Sequence, residues 1–274
     1  MPVISTNTAA NIAVRYLNSN SADETSSLSK LASGSRITRA SDDAAGLSIS
    51  TRINSDVSAL EQAATNASHG ISVLQTADGG AAQISDILVR MKTLASQAAS
   101  GTVTDTERSY IDAEFQELID EIDGIATSTR YNGDALLDGT SDFATGVDVV
   151  VGSDASDTIT ITIDSLSATD LAIDTLDVAD QTNAEAALAA LDTAIGTVSG
   201  ARASIGATMS RFEFRSEAIA TSTENLQAAA SAITDTDIAS EQAKLSASTV
   251  KVQAAVAAAS QANQMPQQLL KLLQ

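Results

Sequence analysis

The chain has no cysteine, no tryptophan, one histidine and two prolines in 274 residues. Without cysteine there is no disulfide, no thiol nucleophile and no thiolate zinc site. With His69 as the only histidine, a His-Glu-x-x-His zinc motif cannot be written, and His69 reads as a partly exposed helix residue beside Gly70. The prolines fall at positions 2 and 266, so everything between them is free of the strongest helix breaker. Aromatic residues make up 3%. A core so poor in rings rests on Ala, Ile, Leu and Val, which suits helices that approach closely. Basic residues are scarce: 15 Lys and Arg stand against 35 acids, a net charge of −20. That balance argues against nucleic acid and anionic membrane as partners, since both need basic patches. No apolar run approaches the ~20 residues of a membrane span. The start, Met1 to Asn7, lacks the basic and apolar regions of a secretory signal, so the usual export rules alone would assign the cytoplasm. No Gly-rich phosphate loop follows a strand. Asp42-Asp43 reads as a helix cap rather than a cation site, and Met91 and Met209 read as core.

What the chain does have is periodicity. From Ile53 to Ala98 apolar residues recur at steps of four and three: Ile53, Val57, Leu60, Ala64, Ala67, Ile71, Leu74, Ala77, Ala81, Ile84, Leu88, Met91, Ala95, Ala98. This is a long amphipathic helix, loosened at most locally at Gly79-Gly80, and roughly 70 Å long at 1.5 Å per residue. A narrow stripe on so long a helix needs partner helices along most of its length, which predicts a rod. A second ladder of the same kind runs from Leu188 to Ile233. Between them, Thr104 and Glu107 form a capping-box pattern. They open a helix with the stripe Ile111, Phe115, Leu118, Ile122, Ile125, which ends near Thr129 and is antiparallel to the first.

The ends are weaker. Residues 3 to 31 carry the rows Val3, Ala10, Leu17, Glu24, Leu31 and Asn7, Val14, Ser21, Leu28; residues 238 to 259 carry Ile238, Leu245, Val252, Ala259. Such sparse stripes do not fold reliably alone. Each end is separated from its ladder by a polar break, residues 33 to 46 on one side and 234 to 237 on the other. In the first break, Ser41 or Asp42 is the expected cap of the following helix. The middle is acidic: from Tyr131 to Ala201 there are thirteen Asp and Glu and no Lys or Arg, a solvated face by default. Val147, Val149 and Val151 alternate with Asp148 and Val150, and Ile159, Ile161 and Ile163 with Thr158, Thr160 and Thr162, which predicts a β-hairpin. Residues 165 to 181 read as acidic and irregular.

Motifs in order add a resemblance. Ser5-x-Asn7, Leu31-Ala32-Ser33-Gly34-Ser35-Arg36-Ile37 and Asp42 to Ser50 stand near the start. Tyr131-Asn132-Gly133 and Leu136-Leu137-Asp138-Gly139 precede the middle. Ile205-Gly206-Ala207, Glu224-Asn225-Leu226, Ile233-x-Asp235-x-Asp237, Ala262-Asn263-Gln264 and Leu269-Leu270-x-Leu272-Leu273 follow. Together they resemble bacterial flagellin over nearly the whole chain, in the compact form of alphaproteobacteria. The resemblance implies a secreted, extracellular subunit that self-assembles into the flagellar filament for swimming. Its partners would be other copies of itself, the hook–filament junction and cap proteins, the export apparatus and an export chaperone. It implies no enzyme activity and no cofactor. It also implies that Arg90, Leu94 and Glu114 match positions at which an innate receptor contacts some flagellins, whereas Val89 and Thr93 depart from that pattern.

The expected fold is mainly α: an elongated antiparallel helical rod, a coiled-coil bundle, with a small β-hairpin region and with the N- and C-terminal helices paired. Residues 1–33 and 238–274 would form a terminal coiled-coil core domain. Residues 34–237 would form the rod, with the acidic variable segment at about 139–183. The candidate assembly seam is Val3, Ala10, Val14 and Leu17 at one end and Ile238, Leu245, Val252 and Ala259 at the other. The competing reading is a secreted soluble coiled-coil effector or adhesin. The under-stabilised ends tell against it, because a soluble monomer has no use for them.

Overall fold

In the computed structural model the described residues are 7–272, with side chains described through Gln264. The elements in chain order are α1 (Thr8–Ser33), α2 (Ala44–Ala98), α3 (Asp105–Ser128), β1 (Arg130–Tyr131), β2 (Asp134–Ala135), α4 (Asp142–Thr145), β3 (Val147–Val150), β4 (Thr158–Ile161), α5 (Gln181–Thr234) and α6 (Ile238–Leu272). The chain divides into two compact units. One comprises the residues up to Ser55 and those from Asn225 on; the other is Asp56–Glu224.

The larger unit holds the main core. Ala67, Leu74, Ala77, Ala81, Ile84, Leu88, Met91, Ala95 and Ala98 of α2 are 0% exposed, so the four-three ladder is the buried stripe. Gly79-Gly80 does not break α2. Gly80 is a point of close approach: a Cβ there would stand 2.5 Å from Thr129 Oγ1 and 2.8 Å from Leu137 Cδ1. Helix α3 returns antiparallel to α2, since Arg90 meets Glu114 while Ala98 meets Arg108. Helix α5 is also antiparallel to α2. Arg202 Nε donates to Asp78 Oδ1 at 2.8 Å, and Lys92 pairs with Asp192.

The α2–α3 turn depends on a buried cation that periodicity does not reveal. Arg108, 6% exposed, donates from Nε to the Ala98 carbonyl (2.8 Å), from Nη2 to the Ser100 carbonyl (3.2 Å) and from Nη1 to Asp105 Oδ1 (2.7 Å). It thereby satisfies orphan carbonyls at the end of α2. The capping box at Thr104 and Glu107 forms as expected.

β3 and β4 pair antiparallel, Val147 opposite Ile161 and Val150 opposite Thr158. Ile159 and Ile161 point inward and Thr158 and Thr160 outward. The stretch after β4 differs from the expected solvated loop. It has no regular structure, yet Ile163, Leu166, Ala168, Leu171, Ile173 and Val178 are buried. Acids of α3 hold its backbone: Ala168 N donates to Asp123 Oδ1 (2.7 Å) and Val178 N to Asp112 Oδ1 (2.9 Å), while Gln116 Nε2 donates to the Leu176 carbonyl (2.9 Å). The stretch thus lies antiparallel along α3. The backbone donors of Ala168 and Val178 are thereby satisfied without a ladder.

In the smaller unit the two polar breaks meet. Arg36 N donates to the Thr234 carbonyl (2.6 Å), Thr236 N to the Gly34 carbonyl (3.0 Å), and Arg36 Nη2 to the Ile233 carbonyl (2.7 Å). Gly34 ends α1 in the left-handed region, φ 70°, the usual glycine stop. The cap of α2 is one residue later than expected. Asp43 Oδ1 accepts from Gly46 N at 2.8 Å, whereas Asp42 Oδ2 folds back to accept from Thr38 N and Arg39 N. The Thr38 hydroxyl, which donates to the same oxygen at 3.0 Å, and then those backbone bonds hold the Asp42 carboxyl below the usual carboxylate range.

Candidate assembly interface

Helices α1 and α6 pair antiparallel. Asn7 Nδ2 donates to the Ala262 carbonyl (2.8 Å), and Thr249 Oγ1 donates to Glu24 Oε1 (2.9 Å). The residues screened from solvent follow the four-three rhythm. On α1 the rhythm runs through Ala10, Ala13, Leu17, Asn20, Glu24, Ser27 and Leu31, and on α6 through Glu241, Leu245, Ser248, Val252, Ala255, Ala259 and Ala262; Ser26, Ser29, Lys30 and Thr249 beside it are also half-buried. Small and polar side chains fill a seam of this composition, and little apolar area leaves water there.

The candidate seam residues therefore divide. Ala10, Leu17, Leu245, Val252 and Ala259 lie half-buried along the pairing faces of α1 and α6. Val14 is 45% exposed and Ile238 52% exposed; both point away from the seam. Val3 lies outside the described residues.

Glu241 was not singled out by its sequence context. It sits in the seam slot three residues after Ile238 and is buried. A hydrogen bond from Ser27, then one from Lys244, holds its carboxyl below the usual range; burial opposes them. The only sequence signal was its place in the α6 rhythm, which a seven-residue row anchored on Ile238 passes over.

Beyond the seam the pair presents apolar side chains to solvent: Ile12, Val14, Tyr16 and Leu28 on α1, and Ile238, Val250 and Val256 on α6. Exposed singles are ordinary on a monomer. A helix pair whose outer surface is richer in large apolar side chains than its seam is not. Nothing in it resembles a catalytic arrangement, and among the described residues no cluster of three or more His, Asp or Glu stands where it could hold a metal. No helix there is long and apolar enough to cross a membrane.

Of the positions matched to receptor contacts, Arg90 and Glu114 form an exposed ion pair, with Nε–Oε1 at 2.9 Å. Leu94 is 3% exposed and belongs to the core.

Paired chain ends with apolar outer faces, joined to a densely packed helical unit, define a structural protein of the kind that polymerises. Comparison with known proteins gives the family. The bacterial flagellin N-terminal helical region matches residues 4–142, and the bacterial flagellin C-terminal helical region matches residues 188–273. The chain is 39% identical to a flagellin of Halalkalibacterium halodurans, over 90% of each chain. It is 38% identical to a flagellin of Listeria monocytogenes, over 94% of each. It is also 35% identical to a flagellar filament 30.7 kDa core protein of Treponema maltophilum, over 99% of each. Among solved structures, Bacillus cereus flagellin superposes with a TM-score of 0.51 at 35% identity, covering 56% of this chain and 88% of that one. A putative flagellar hook-associated protein from Vibrio parahaemolyticus shares the fold, with a TM-score of 0.58 at 17% identity over 70% and 99% of the two chains. The chain belongs to the bacterial flagellin family. It is a structural subunit of the flagellar filament, an extracellular assembly for motility, and not an enzyme.

Proposed function

We propose that the subunit polymerises by coupled folding and assembly, with α1 and α6 as the polymerising element. The observation that carries this reading is the inverted distribution of apolar surface on that pair. Ile12, Tyr16, Leu28, Val250 and Val256 are all exposed, whereas the large apolar side chains of the seam are four, Leu17, Leu31, Leu245 and Val252, each only half-buried among Ala, Ser, Asn and Glu. A pair built this way gains little by closing on itself and much by meeting neighbours, so ordering the ends becomes favourable between subunits. The terminal core domain, residues 1–33 and 238–274, is then the part that joins copies, and the rod domain, 34–237, is the part each copy brings already folded. Contacts between unlike surfaces propagate rather than close, which gives a filament.

The partners beyond a second copy follow the same logic. Hook–filament junction and cap proteins would meet the same terminal helices. An export apparatus and its chaperone would receive the chain before those helices have neighbours. Arg90 and Glu114 are exposed and available to an innate receptor, whereas the buried Leu94 would act on such a contact only through packing.

Removing residues from Ile238 onward tests the reading. The expected product has the circular dichroism and melting of the Asp56–Glu224 unit and forms no filaments in electron micrographs. Filaments of normal diameter from that product would show that α6 is not the polymerising element.

A further inference from the structure

We infer that the groove between α5 and the β3–β4 hairpin receives the outer face of α3 from a second copy of this chain. The inference deepens the assembly reading and rests on it. The groove is open, about 490 Å³, and lined by Val151, Ser156, Asp157, Arg211, Phe214 and Arg215 among others. Arg215 is committed to the hairpin: its Nε donates to the Val151 carbonyl (2.9 Å) and its Nη2 stands 3.2 Å from Asp157 Oδ1. Arg211 and Phe214 reach out of the helix into the groove mouth. Phe214 is 77% exposed.

The matching surface is on α3. Tyr110, 72% exposed, is with Phe214 one of the two most exposed large apolar side chains among the described residues. Glu117 and Glu121 follow it at helical spacing, on the same face and exposed. A ring beside carboxylates fits a ring beside a guanidinium, in a chain whose net charge of −20 makes exposed cations rare.

The two surfaces cannot meet within one chain. Phe212 packs against Gly70, a Cβ at which would stand 3.0 Å from its Cζ. That places the groove at the level of Gly70 on α2. Glu114 pairs with Arg90, which places the α3 face at that level. At ~1.5 Å per residue the stretch of α2 between Gly70 and Arg90 spans roughly 30 Å. A contact between unlike surfaces at different heights of one unit is head-to-tail, and each copy added leaves one of each surface open for the next.

Charge reversal tests the contact on the full chain, with polymer sedimentation as the readout and monomer melting as the check on folding. Arg211→Glu should raise the critical concentration for polymerisation by about tenfold, and so should Glu117→Arg with Glu121→Arg. Combining the three should bring it back to within about threefold of the unaltered chain. A combined variant worse than either parent, or either reversal polymerising normally, overturns the contact. The absence of cysteine allows a second test that does not depend on charge. In filaments carrying both Phe214→Cys and Tyr110→Cys, oxidation should give a ladder of multimers, and each single variant should give no ladder. Intact filaments without a ladder from the double variant also overturn it. If the unaltered chain forms no filaments in the same assay, it is the assembly reading that fails rather than this contact.

Discussion

The two units use the same helical rhythm and differ in what they put into it. Along α2 the rhythm of the larger unit delivers Leu74, Ile84, Leu88 and Met91 to positions with no solvent contact. Along α6 it delivers Glu241, Leu245, Ser248, Val252 and Ala255, most of them small, polar or half-buried. At ~25 cal/mol per Å² of apolar surface removed from water, the first kind of seam overcomes the entropy of ordering a helix and the second barely does. Periodicity alone therefore says that a helix has a partner. The size and polarity of the residues in the rhythm say whether that partner lies in the same chain.

Leu245→Asp gives the widest separation between the units. It puts a charge into the α1–α6 seam without a partner. The critical concentration for polymerisation should rise by orders of magnitude, while the main melting transition of the monomer, set by the larger unit, stays within a degree or two. A monomer melting far lower with normal assembly would place Leu245 in the subunit's principal core. Phe115→Ala is the mirror experiment. Phe115 is 0% exposed, and its truncation should cost about 3–5 kcal/mol of monomer stability by the usual loss of transfer and cavity energy, measured by urea unfolding. A cost near zero would mean that the larger unit is not packed as described.

Arg108→Met keeps much of the side chain's bulk and strips the Ala98 carbonyl of its donor, while the Ser100 carbonyl keeps the bond from Val103 N. An unpaired buried carbonyl of this kind costs about 1–3 kcal/mol. The loss should appear as faster amide exchange at the end of α2 and the start of α3. Unchanged exchange there would mean that water replaces the guanidinium. The smallest effect concerns pH. The carboxyl of Glu241 is held low in the folded pair by Ser27 and Lys244. Its contribution is therefore present above the ordinary glutamate range near 4.5 and is lost as pH falls through the lowered folded value. Amide exchange in α1 should accelerate below about pH 4.5, and Glu241→Gln should flatten that dependence. An identical acid response in both proteins would remove Glu241 from the account.

The ladders of α2, α3 and α5 were legible because a helix repeats its burial every three or four residues. The hairpin was legible because Ile159 and Ile161 alternate with threonine. The two polar breaks were legible as breaks. Their hydrogen bonds to each other, Arg36 with Thr234 and Thr236 with Gly34, are backbone contacts that leave no residue pattern. The buried stretch from Ile163 to Val178 was hidden for a related reason. Its apolar residues have no fixed period, and its surrounding aspartates resemble a solvated loop. What buries it lies elsewhere in the chain, in Asp112, Gln116 and Asp123, whose sequence context is an ordinary charged helix face. Asp43 rather than Asp42 capping α2 is a one-residue matter that adjacent aspartates cannot decide. In the assembly seam the rhythm was visible and Ala10, Leu17, Leu245, Val252 and Ala259 fall on it, whereas Val14 and Ile238 do not. On so weak a stripe Ile238 outweighs Glu241 in any reading by hydrophobicity, yet the glutamate is the residue turned inward.

The hydrogen bond from Asn7 to Ala262 joins positions 255 apart in the chain, and that separation governs timing. Bringing the free ends of so long an unfolded chain together carries a large loop-closure entropy for very little contact. Once the larger unit has folded, most of that closure is already accomplished. The ends then meet at the high effective concentration of a short tether. Pairing of α1 with α6 is accordingly the last step of refolding and the first to be undone. Pulse-labelled amide exchange should find α2 and α5 protected well before α1, and an α1 protected as early as α2 would contradict that order. A chain whose final step waits on everything else stays unable to join its neighbours until it has become a complete subunit.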